Sequence, residues 1–161
     1  MSTETMNEEI CCPPIDPKLW DNKVMEWENK MFIQDHVRTF LHMPMNFGKV
    51  MTKMFDKVCK AEASIPDYLC LSEHVSLWKM KLLLAVDKEI QDTQNVKITG
   101  KYFSKVYEGS FNDTGKWIKA FHSFAKVKGH TINKIYLWYT TCPKCAEKYG
   151  KNYVVIFGEI S

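Results

Sequence analysis

Lys101-Tyr102-Phe103-Ser104-Lys105-Val106-Tyr107-Glu108 leads through Phe111-Asn112-Asp113-Thr114-Gly115-Lys116 into a helical pattern ending near Lys128, and two strand-like runs follow, Lys134 to Thr140 and Asn152 to Ile160. The same order stands earlier in the chain. Asp35-His36-Val37-Arg38-Thr39-Phe40-Leu41-His42 alternates, then passes through Met45-Asn46-Phe47-Gly48-Lys49 into a helical pattern ending near Ala63. Strand-like Tyr68 to Val75 and Trp78 to Val86 follow it. Aligning Gly48-Lys49 on Gly115-Lys116 brings Phe55 within one position of Phe121. A chain that says the same thing twice is expected to fold as two related units, and the seam between such units is a natural place for a pocket.

Each helix carries one apolar face. Val50, Met51, Met54, Phe55 and Val58 share one side of the first, while Lys49, Lys53, Lys57 and Lys60 form a solvated stripe on the other. Trp117, Ile118, Phe121, Phe124 and Ala125 line the second. Asn46 and Asn112 or Asp113 are the expected N-caps, Gly129 the left-handed C-terminal cap, and Pro66 lies beyond the first helix. In Trp78-Lys79-Met80-Lys81-Leu82-Leu83-Leu84 the pattern has period two, with Trp78, Met80, Leu82 and Leu84 on one face. Val154-Val155-Ile156-Phe157 is unbroken, as in a strand covered on both sides. The reading is an α+β fold: two pseudo-symmetric βαββ repeats forming a mostly antiparallel, concave sheet with the helices on one face. Residues 1–30 are a proline-broken lead-in, with a short amphipathic turn over Asp21 to Asn29. Residues 31–161 are a single domain, repeat one at about 31–90 and repeat two at about 100–161, joined by a polar link from Gln91 to Thr99.

The bulk properties narrow the function. The 161 residues carry a formal charge of +3, which does not call for nucleic acid. No apolar run approaches the roughly 18 residues of a membrane span. Met1 to Glu9 is polar and acidic, unlike a secretory signal, and six Cys without one point to free thiols and a cytoplasmic location. Aromatic residues make up 13% of the chain and there are nine Met, which suits both a dense core and a pocket for flat, apolar ligands. No GxSxG, P-loop, dinucleotide fingerprint or HExxH is present, and no cofactor is expected.

With these elements placed, the chain resembles the GyrI-like small-molecule-binding superfamily over about residues 30–161. Val106-Tyr107-Glu108-Gly109-Ser110-Phe111 resembles the strand and G-P-[YF] turn that open that family's second repeat, with Ser110 in place of proline. Ile135-Tyr136-Leu137 resembles its I-Y-L strand, and Tyr153 to Phe157 its closing strand. The resemblance implies a free-standing binder of hydrophobic, aromatic or cationic molecules in a cleft between the repeats. The alternative it implies is a hydrolase of reactive, cyclopropane-type electrophiles acting through an acid and an aromatic hydroxyl or indole, as in some free-standing members. The family often carries Glu just before I-Y-L, where this chain has Lys134, so Glu73 or Glu108 would supply the acid, with Tyr136 beside it. Tyr136 and Trp138 are assigned to the ligand side of their strand, Ile135 and Leu137 to the helix side, and truncation of Trp138 is expected to cost little stability. Trp78 and His42 complete the expected ligand-binding set, although a lone His or a strand-starting Trp is as readily structural. Cys142-Pro143-Lys144-Cys145 is half of a zinc knuckle with no second pair at metal spacing, so a zinc-stabilised interaction module is the remaining alternative.

Overall fold

A computed structural model describes residues 14–40, 43–140 and 150–160. The described residues are α+β, with two α-helices and antiparallel strands among them, and the chain divides into two compact units. Residues 27–99 form the N-terminal unit; residues 1–26 and 100–161 form the C-terminal unit. The strands are β1 (Lys23–Phe40), β2 (Met43–Pro44), β3 (Cys70–Ser76), β4 (Lys79–Ala85), β5 (Gln94–Glu108), β6 (Ile132–Tyr139) and β7 (Tyr153–Ile160). The helices are α1 (Phe47–Lys60) and α2 (Thr114–Val127).

In the N-terminal unit β4 lies between β1 and β3, antiparallel to both. Helix α1 lays Val50, Met54 and Val58 on Ile33, Val37, Met80, Leu82 and Leu84, so the apolar stripe read from the sequence does bury against alternate strand positions. Its lysines stay at the surface and are tied locally: Lys53 to Asp35 at 3.5 Å, Lys60 to Asp56 at 3.0 Å, and Lys57 Nζ to the Asp92 carbonyl at 2.7 Å. Asn46 sits at the N-cap but makes no capping bond; its side-chain oxygen accepts the Arg38 N–H at 2.8 Å, anchoring the helix start to β1.

In the C-terminal unit β7 is the middle strand, antiparallel to β5 on one edge and β6 on the other. Helix α2 covers one face of these three strands through Trp117, Phe121 and Ala125, packed on Phe103, Leu137, Val154 and Ile156. It ends as expected, with Gly129 at φ +82° donating to the Lys126 carbonyl and His130 N–H donating to the Ala125 carbonyl.

Two local expectations need correction. The segment from Asp21 is no helical turn: Asn22 takes a left-handed φ of 56° and strand starts at Lys23. Trp20 packs on Trp138 and Trp27 on Phe32. Nor is Gln91 to Thr99 all link. A turn closed by Asn95, which bonds both the N–H and the carbonyl of Ile90, delivers the chain into β5 at Gln94. Side-chain polarity misled there, because backbone pairing makes the strand.

Gly158 marks the tightest contact between α2 and its strands. A β-carbon there would lie 2.7 Å from the Phe121 ring and 2.8 Å from Ile132 Cδ1. Gly158→Ala should therefore lower stability by about 1–3 kcal/mol, the usual cost of overpacking. A urea midpoint shift measures it, and an unchanged midpoint would show that Phe121 is free to yield.

Candidate functional site

Alternation divides the C-terminal unit into two chemically different faces. Phe103, Ile135, Leu137, Val154 and Ile156 point to α2. On the opposite face, cross-strand register sets three successive rows: Tyr102, Glu159 and Lys134; then Ser104, Phe157 and Tyr136; then Val106, Val155 and Trp138. Tyr136 and Trp138 thus lie on the helix-free side of β6. The rings meet one another there. Tyr102 and Tyr136 are 6.0 Å apart between centroids, and Trp138 stacks near Phe157 at 6.5 Å.

The charged groups of this face gather in its first row. The Tyr102 hydroxyl donates to Glu159 at 3.1 Å, and Tyr102 itself is buried, so a carboxylate and a phenol are held together at the edge of an aromatic floor. Lys134 Nζ lies 5.7 Å from the Tyr136 ring centroid. Glu159 on β7 stands directly opposite Lys134 on β6. Where the resemblance leads one to look for an acid on β6, this chain has a cation there and an acid on the adjoining strand. Glu159 was missed because only its strand neighbours were read as a motif; continuing the alternation Tyr153, Val155, Phe157, Glu159 would have put it on the same face.

The other expected site residues are placed elsewhere. Glu73 lies on β3 of the N-terminal unit, 3.4 Å from the Lys81 ammonium. Glu108 is exposed at the end of β5, opposite Tyr153. Four residues separate it from Ser104, which puts it roughly 13 Å along the strand from the Tyr136 row. Trp78 is 55% exposed in the turn before β4, its ring 5.5 Å from Phe40. His42, Cys142 and Cys145 lie outside the described residues. Among the described residues no three His, Cys, Asp or Glu side chains cluster as a metal site. None of the helices described is long and apolar enough to cross a membrane.

Two cavities open in the N-terminal unit, of about 190 and 250 Å³. The first is lined by Asp35, Lys53 and Lys57 beside Ile33 and Met54, the second by Phe32, Asn95 and Lys97. Both are below the roughly 300 Å³ at which ligand pockets usually begin. Burial pushes the Cys70 thiol of this unit up to about 12, so it stays protonated and inert at neutral pH. In the C-terminal unit burial raises the Tyr139 hydroxyl to about 12, and burial together with the Asp21 carboxylate does the same for Tyr107.

This architecture has known relatives. The C-terminal domain of EcmrR superposes with a TM-score of 0.66 at 11% identity, covering 89% of this chain and 98% of that domain. A longer EcmrR chain, seen in a complex with DNA, matches at 0.66 and 10% identity over 98% of this chain and 61% of its own length. A hydrolase from Listeria innocua matches at 0.59 and 12% identity, covering 98% of each chain. At such identities the likeness establishes the fold alone, and it is consistent with the resemblance to the GyrI-like superfamily. The chain belongs to the bacterial hydrolase family, whose model matches residues 2–160. No curated protein matches it.

Trp138 is only 3% exposed although it lies on the face away from α2, and Trp20 packs edge-on against its ring. The expectation of a cheap truncation assumed that the helix-free face was open. Trp138→Ala should instead cost about 3–5 kcal/mol, as for other large-to-small changes in a packed interior. Chemical denaturation reads this directly; a loss near 1 kcal/mol would mean that Trp20 closes over the gap.

Proposed function

We propose that this protein captures small hydrophobic, aromatic or cationic molecules on the helix-free face of its C-terminal unit. The observation that carries the reading is the Glu159–Tyr102 pair set at the rim of the floor formed by Tyr136, Trp138 and Phe157. Rings supply dispersion and quadrupole attraction to a flat ligand, and a carboxylate beside them adds a counter-charge for a cation. Tyr136 and Trp138 are kept as ligand-contacting residues; Tyr102 and Glu159 join them. We read the two units as pseudo-symmetric βαββ repeats. In support, the strand after the helix is in each unit the outer neighbour of the last strand.

Thermal-shift measurements with planar aromatic cations and neutral aromatics of matched size test the reading. Stabilisation by several members is expected. Glu159→Gln should weaken the cations by about tenfold, near 1.4 kcal/mol, and leave the neutral compounds unchanged. A diverse panel that stabilises nothing overturns the proposal.

A second reading, hydrolysis of a strained or electrophilic small molecule, is favoured by the family to which the chain belongs and by the same pair. Glu159 would take a proton from water as its oxygen bonds to the electrophilic carbon. The carbon–carbon or carbon–heteroatom bond to that centre breaks, and the departing electron pair is protonated through the Tyr102 hydroxyl, which Glu159 reprotonates. One water is consumed and no redox partner is needed. Multiple turnovers with solvent oxygen-18 appearing in the product support this reading. Capture that stops at one equivalent, or product without the label, refutes it.

A further inference from the structure

The chain before β1 is laid against the proposed ligand face. Pro17–Leu19 make one 3-10 turn, started by Asp16, whose carboxylate accepts the Lys18 N–H at 3.0 Å. None of the three residues is buried, and Leu19 is 64% exposed. Trp20 turns its ring onto the face. Its ring stands edge-on to Trp138 at 4.9 Å and 79°, and edge-on to Phe157 at 5.9 Å and 86°. Two polar clamps hold the backbone beside it. The hydroxyl of Ser104, a residue with 0% exposure in the middle row of the face, donates to the Trp20 carbonyl at 2.6 Å. The Asp21 carboxylate accepts the Val106 N–H at 3.0 Å and lies 3.5 Å from Lys105 Nζ.

We infer that Trp20 is a resident occupant of the binding subsite, an indole of the chain itself standing where a ligand ring would stand. The inference rests on the binding reading above and goes beyond it in saying what the ligand must displace. An incoming ring reaches Trp138 and Phe157 only when residues 17–21 lift, so apparent affinity is reduced by the fraction of molecules that are closed. The segment is suited to lifting, since none of residues 17–21 is fully buried. Its bonds also specify the ligand. When Trp20 leaves, the Ser104 hydroxyl loses its 2.6 Å acceptor and is left with the Lys23 carbonyl at 3.4 Å, and a buried donor so poorly met is costly. The preferred ligand is therefore a planar aromatic of about indole size carrying a carbonyl-type hydrogen-bond acceptor next to its ring.

N-acetyltryptophanamide, which carries the ring and the acceptor of Trp20, is the direct probe, with binding measured by calorimetry. Trp20→Ala should bind it at least tenfold more tightly than the wild type, and adding Ser104→Ala should remove most of that gain. Asp21→Ala, which loosens the strap but keeps the indole, should strengthen binding severalfold; it preserves the test if the vacated Trp20→Ala face fails to fold. In the wild type, saturating probe should speed trypsin cleavage after Lys18. Unchanged affinity in Trp20→Ala, with the aromatic panel still stabilising the wild type, overturns the occupant while sparing the binding reading. Weaker binding in Trp20→Ala also overturns it, by making Trp20 a wall of the site. No binding of probe or panel by any variant overturns both.

Discussion

The pairing of β7 on both of its edges, with cover on both of its faces, is the constraint from which the C-terminal unit follows. Val154, Val155, Ile156 and Phe157 are all fully buried, yet alternate residues meet different surroundings. Val154 and Ile156 meet α2; Phe157 meets Tyr136, Trp138 and Trp20. A strand buried on one side alone would need polar residues at every second place. Here the second face is aromatic, so it requires a cover of its own, and the chain supplies one from its N-terminal side. Apolar surface of this kind gains about 25 cal/mol for each Å² removed from water, and that gain is open to any ring of suitable shape, whether it belongs to the chain or to a ligand.

Much of this division was legible in the sequence. The apolar stripes of α1 and α2, the cap at Gly129 and the facing of Tyr136 and Trp138 against Ile135 and Leu137 all follow from side-chain period, which local stereochemistry fixes. What lay beyond reach were contacts between residues distant along the chain. Nothing local tells Trp20 that it will meet Trp138, or Glu159 that it will meet Tyr102, because register between strands is decided by global packing. Polar strand starts failed for a related reason. Gln94 to Thr99 carries loop-like side chains, yet backbone pairing does not depend on them.

The helix-free faces of the two units differ in kind, and this bears on where chemistry is to be sought. In the N-terminal unit that face carries His36 and Arg38 on β1, register-paired with Lys81 and Lys79 on β4, and its one acid in these rows, Glu73, is held by Lys81. Desolvation and the charges of Lys79 and Lys81 hold His36 below its ordinary range despite Asp35 beside it. Glu73 is thus committed to balancing cations. Glu159 has a different neighbourhood, the Tyr102 phenol and an aromatic floor.

Moving an acid from one strand to its neighbour preserves function only if the two positions share a row and a face. Lys134 and Glu159 meet both conditions, being register partners across β6 and β7. Side chains directly opposite in an antiparallel pair have β-carbons about 4.5–5.5 Å apart, a distance that a glutamate's own reach can span. A carboxylate can therefore be delivered to nearly the same point above the floor from either strand. The exchange also changes what stands beside it: a lysine at the vacated position adds a cation over Tyr136. Under the proposed binding reading, a site so arranged favours ligands whose positive charge approaches from the Tyr102 side, where the carboxylate lies, and opposes those whose charge would fall near Lys134.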